Sequence, residues 1–177
     1  SIAFFEFKRF FNNPTGYLLC ILFLCLSGFF TWFAESGIIY KQQASLEPFF
    51  NISYWLFLLF VPVLTMRLLT DEKKTGTLDL LLSKPLHPLQ IIIGKFLSVW
   101  LIVFWLLFFT LPYPYTVWYH GEPDWGIIIA GYFSLMLLSG MLVSIGLFAG
   151  SLTRNALASF FISISIALFF QIITAQV

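Results

Sequence analysis

Five long apolar runs separated by short polar stretches organise the chain, at 17–33, 49–69, 91–111, 126–147 and 156–173. Each approaches the ~20 residues a helix needs to cross a hydrocarbon layer. The second run contains Pro62, which removes one helical hydrogen bond and predicts a kink. Pro88 leads into the third as an early helical residue. A loop is expected from Pro112 to Trp125, with Tyr113, Tyr115, Trp118, Tyr119 and Trp125 as rings that favour a membrane boundary. A turn containing Thr153, Arg154 and Asn155 separates the last two runs. Ahead of the first run, residues 2–13 read as a separate element. Phe4, Phe7 and Phe11 share one helical face, with Glu6, Lys8 and Arg9 off it. That spacing predicts an amphipathic helix lying on the membrane and ending at Pro14.

Composition turns this pattern into a fold class. Of 177 residues, 60% are hydrophobic and 10% charged, against roughly 25% charged in soluble domains. Mean hydropathy is +0.94. Lipid is therefore the solvent for most side chains, and the expected fold is all-α: a single polytopic membrane domain over 1–177 with about five transmembrane helices plus the N-terminal interfacial helix. The first run is long and lacks a small-x-small cleavage site, so it reads as an uncleaved span. Cys20 and Cys25 both fall in it, five apart, and read as packing residues. A net charge of +1 leaves no basic footprint for nucleic acid. With the N-terminus inside, every Lys and Arg except Lys41 falls on the cytoplasmic side, which the positive-inside rule favours. Residues 70–90 are then a charged cytoplasmic loop. Arg67 and Lys95, at the ends of their spans, are expected to snorkel to the headgroups.

Catalytic signatures do not emerge. Gly94-Lys95 is followed by Phe96, and Leu89 stands where a phosphate-binding loop needs its first glycine. His87 and His120 fall on opposite sides of the membrane and cannot share a metal. Leu142 replaces the first glycine of a nucleophile elbow around Ser144 and Gly146. No enzyme activity and no cofactor are expected in this chain. Ionisable residues are also missing from the middle of the spans, where ion relays usually sit. The fourth run is rich in small residues, Gly140 and Ser144, then Gly146 and Gly150, each pair spaced by four. Such spacing lets helices approach closely, within the chain or at a dimer seam. Ser159, Ser163, Ala167 and Gln171 form a weakly polar stripe on the fifth run, suited to packing or to an amphipathic path. Gly76 and Thr77 precede a short leucine-rich stretch ended by Pro85. A partner pushing on that stretch would move the second and third spans together.

An ordered set of residues resembles the ABC-2 type transporter permeases. It comprises Pro62, Thr65-Met66-Arg67, Glu72, Gly76-Thr77-Leu78-Asp79-Leu80-Leu81-Leu82-Ser83, Pro85 and Gly94-Lys95. Phe5-Glu6, Pro14-Thr15-Gly16-Tyr17, Gly121, Asp124, Gly126, Gly131-Tyr132, Ser151-Leu152-Thr153 and Asn155 extend it over nearly the whole chain. The resemblance is closest to the gliding-motility branch. It implies a permease subunit in a bacterial inner membrane, pairing with a separate ATP-binding-cassette ATPase and forming a homodimer or heterodimer, with export the expected direction. It also implies that the ATPase contacts the interfacial helix and the loop after the second span, here Asp71, Glu72, Gly76, Thr77, Leu78 and Leu81. The family usually has six spans, so five would make this chain a fragment or a truncated form. A non-transporting scaffold that recruits a cytoplasmic partner, and an ion-coupled carrier, are the alternative readings.

Overall fold

The computed structural model describes residues 8, 12, 14–33, 46–75, 88–121 and 123–175. Among these the elements are α1 (Pro14–Phe33), α2 (Glu47–Thr75), α3 (Pro88–Phe109), α4 (Pro112–His120), α5 (Trp125–Leu152) and α6 (Ala156–Ala175). No strand occurs among the described residues. Five stretches are long and apolar enough to cross a membrane, the third of them running through α3 and α4. The all-α polytopic fold expected from the apolar runs is therefore present. The physical cause is the absence of water in the hydrocarbon layer: each span must satisfy its own backbone groups, and a helix does so within one segment.

Local chemistry sets the helix starts. α1, α3 and α4 each begin on a proline, whose missing N–H costs nothing in the first turn. Asp124 caps α5, its Oδ1 accepting from Gly126 N at 2.8 Å and Ile127 N at 3.4 Å. Asn155 caps α6 in the same way, with Leu157 N donating to its Oδ1 at 3.1 Å. These side chains satisfy backbone donors that have no partner inside the helix.

Two boundaries differ from the sequence expectation. α2 has 29 residues and continues to Thr75, so the first part of the charged 70–90 segment is helical. At 1.5 Å per residue α2 is about 43 Å long, more than the ~30 Å hydrocarbon thickness. It also runs through Pro62 without a break. The second difference is α4, nine helical residues where a loop is expected. Pro112 and Pro114 fall in its first turn, where they are tolerated. Tyr113, Pro114 and Val117 turn inward while Tyr115, Trp118 and Tyr119 stay exposed.

α2 and α5 form the centre. α1 packs on α2, α3 packs on α5, and α6 fills the groove between α2 and α5. α2 and α5 run side by side in the same direction. Phe50 meets Gly131, Thr65 meets Gly146 and Leu69 meets Gly150, at one constant offset along both helices. The approach at Gly146 is closest: a Cβ there would lie 2.0 Å from Thr65 Oγ1. At Gly131 it would lie 2.4 Å from the Phe50 ring. At Gly146, where Thr65 Cβ would also lie 2.7 Å away, only glycine fits without moving a helix, whereas at Gly131 the Phe50 ring would have to swing aside. Several buried hydroxyls inside the bundle turn back on their own helices. Thr65 Oγ1 donates to the Val61 carbonyl at 3.1 Å, Thr31 to Ser27 at 2.6 Å and Ser163 to Ser159 at 2.8 Å. Such back-bonds satisfy a hydroxyl where no water reaches it.

At the end of the bundle where α3 meets α4, aromatic rings close the structure. The Phe49 ring stands edge-on to Tyr113 at 5.5 Å and 5.8 Å from Tyr132, which is in turn 5.6 Å from Phe50. The Tyr132 hydroxyl lies 3.0 Å from Thr110 Oγ1, and Tyr113 Oη donates to the Leu24 carbonyl at 3.4 Å. These contacts join α1, α2, α4 and α5 to the end of α3. We call this the aromatic end and the opposite one, which carries Arg67, Lys73, Lys74, Lys95 and Arg154, the basic end.

Candidate functional site

The last turns of α2 are amphipathic in a way that hydropathy alone does not reveal. Arg67, Asp71 and Lys74 are exposed, whereas Leu69, Thr70 and Glu72 are buried. Glu72 faces α3, where Lys95 Nζ meets its Oε1 at 2.6 Å. Lys95 Nζ also donates to the Leu68 carbonyl at 2.8 Å. The two side chains are 1% and 9% exposed respectively for Lys95 and Glu72. Lys95 therefore does not snorkel, contrary to the sequence expectation. Its ammonium is held inside the protein by a carboxylate and a backbone carbonyl, which together replace the water it has lost. Arg67, by contrast, is exposed.

The next residue reaches a different helix. Lys73 Nζ donates to the carbonyl of Ser151, in the last turn of α5. A cation at a helix C-terminus meets unpaired carbonyls and the negative end of the dipole. Successive residues on a helix point about 100° apart, so one turn of α2 grips α3 through Glu72 and α5 through Lys73. Just beyond, Asn155 starts α6, its carbonyl accepting from Ser159 N at 3.0 Å and from Thr153 Oγ1 at 3.3 Å. Four helices thus converge at the basic end, around the two ends of the 76–87 segment.

Of the expected coupling residues, Asp71 is exposed on α2 and Glu72 forms the buried pair. Gly76, Thr77, Leu78 and Leu81 lie outside the described residues, as do Phe4, Phe7 and Phe11 of the expected interfacial helix. The small residues of α5 divide between neighbours. Gly146 and Gly150 face Thr65 and Leu69 of α2, and Gly150 also faces Ser159 of α6. Gly140 faces Phe96 and Trp100 of α3, beside the hydrogen bond from Trp100 Nε1 to the Met136 carbonyl at 3.2 Å. Ser144 is exposed and its hydroxyl donates to the Gly140 carbonyl at 3.0 Å. On α6, Ser159, Ser163 and Ala167 are buried. Among the described residues no cluster of three His, Cys, Asp or Glu could hold a metal ion, and the only buried charged residues are Glu72 and Lys95. Sequence reasoning missed their pairing. The available signal was two opposite charges at mirrored depths on the helices flanking the 76–87 segment.

The family model described as ABC-2 family transporter protein matches residues 10–177. The chain belongs to the ABC-2 transporter family. This ABC-2 protein is a permease component of an ABC transporter, a membrane transport part that is not itself catalytic. Its helices make it an integral membrane protein. Neither a search of curated proteins nor one of solved structures gave a match.

Proposed function

We propose that this permease is driven by a separate ATP-binding-cassette subunit docking at the basic end, and that it moves substrate outward across a bacterial inner membrane. The observation that carries this reading is the convergence of α2, α3, α5 and α6 around the ends of the 76–87 segment, in a chain of a family whose permeases work with a partner ATPase. The basic end then faces the cytoplasm, in keeping with the positive-inside rule, and the N-terminus lies on the same side. Asp71, Gly76, Thr77, Leu78 and Leu81 form the ATPase contact and Glu72, buried against Lys95, positions it from behind, with Phe4, Phe7 and Phe11 anchoring the interfacial helix beside it. The permease works as a homodimer or heterodimer and needs no cofactor of its own. Placement in the gliding-motility branch rests on the sequence motifs alone. ATP binding and hydrolysis on the partner switch the spans between alternative packings.

The test is reconstitution with an ATP-binding-cassette ATPase from the same organism. Co-purification and ATP-dependent substrate movement are the expected results, and Gly76→Leu should abolish transport while leaving the permease inserted. Co-purification without any ATP-dependent transport would make the chain a scaffold. Transport driven by an ion gradient without ATP would make it a carrier.

A further inference from the structure

We propose that Lys95 and Glu72 are positioning residues for transport, and that with Lys73 they make the basic ends of α2, α3 and α5 a single mechanical junction. The inference rests on the reading that a partner pushes on the 76–87 segment. That segment joins α2 to α3, yet along their length these two helices touch each other little and lean on α5 instead. Without a direct tie, a force on the connecting segment would splay the two helices rather than carry them together. The direct tie is the 2.6 Å pair between Lys95 and Glu72, reinforced by the 2.8 Å bond to the Leu68 carbonyl one turn earlier. Lys73 extends the tie to the Ser151 carbonyl of α5.

Stability alone does not account for the pair. An apolar pair of similar volume generally holds two helices at least as well as a buried ion pair, because the ions must be stripped of water. What the ion pair adds is directionality. Its carboxylate and carbonyl acceptors fix the Lys95 ammonium at one register between α2 and α3, whereas apolar contacts permit sliding. A buried charge that loses its partner is strongly disfavoured, so intermediate registers are excluded.

The test uses the full chain in lipid nanodiscs, with Cys20 and Cys25 replaced by alanine. Spin labels at Lys74→Cys and Gln90→Cys, both exposed positions flanking the segment, report the α2–α3 distance. A narrow distribution is expected with the native pair, a broad one in Glu72→Gln and Lys95→Met, and a narrowed one in the charge swap Glu72→Lys with Lys95→Glu. Glu72→Gln is nearly isosteric and carries the test if Lys95→Met does not insert. With the ATPase present, substrate moved per ATP should fall on the order of tenfold in Glu72→Gln, within the range that loss of one member of a buried pair allows. ATPase binding should persist in Lys95→Met, whose residue lies outside the ATPase contact, and the swap should restore part of the transport. A distribution that stays narrow in both single variants, or transport per ATP that is unchanged when the distribution broadens, overturns the proposal. A native chain showing no ATP-driven transport defeats the functional reading instead, and the spin-label distances then decide the junction by themselves.

Discussion

The two ends of the bundle hold the same helices together by opposite means. At the aromatic end, Phe49, Phe50, Tyr113 and Tyr132 share the work through several ring contacts and two hydroxyl interactions. Each ring pair contributes about 0.5–1.5 kcal/mol beyond its burial, and none is indispensable. At the basic end, one buried ion pair and two lysine-to-carbonyl bonds tie three helices. A distributed contact can lose a member and relax, whereas a buried charge cannot lose its partner without an uncompensated ion. The aromatic end is thus built to tolerate change, and the basic end to permit only defined arrangements. That asymmetry suits a permease worked from one side.

The largest effect should come from Lys95→Met, which leaves Glu72 buried without its ammonium. A loss of about 3–5 kcal/mol is expected, measured by thermal or denaturant unfolding in lipid. Adding Glu72→Leu to that variant should recover most of the loss, because the orphaned charge is gone. If the double variant stays as unstable as the single one, the pair is not what distinguishes this end. Gly146→Val comes next, at about 1–3 kcal/mol or more for overpacking, since its Cβ would meet Thr65 2.0 Å from Oγ1. This site lies between the two ends, so Thr65→Ala should relieve part of the clash without affecting either. At the aromatic end, Phe49→Leu and Tyr132→Phe should each cost only about 1 kcal/mol. Their effects should fall short of adding up when combined, because the two rings are in contact. Ser144→Ala should change stability by less than about 0.5 kcal/mol, its exposed hydroxyl bonding to the Gly140 carbonyl of its own helix.

The spans were legible because lipid leaves the backbone few solutions. An apolar run of sufficient length must become a helix, whatever its neighbours. What surrounds those runs was harder to read. Asp71 to Thr75 extend α2 although they are polar, because Glu and Lys are good helix formers and the turn is anchored by Glu72 and Lys73. A loop is expected from Pro112 to Trp125, yet Pro112 and Pro114 both fall in the first turn of α4, where proline fits. The glycines of α5 announced close approach but not to which helix. Gly146 fits Thr65, and Gly140 lies against Phe96 and Trp100, a division that depends on how the helices are arranged around α5. Lys95 was misread for a related reason. Counting charges along one span treats each as alone, and its partner is on another helix, beyond the intervening segment.

The central claim is that a partner ATPase works this permease from the basic end. Photo-crosslinking in the reconstituted complex tests it directly. p-Benzoylphenylalanine would be placed at Lys74, exposed at the basic end, and separately at Trp118, exposed at the aromatic end. Crosslinks to the ATPase from position 74 and none from position 118 are the predicted result. Crosslinks from position 118, or none from 74 in a complex that still hydrolyses ATP and transports, would contradict the account.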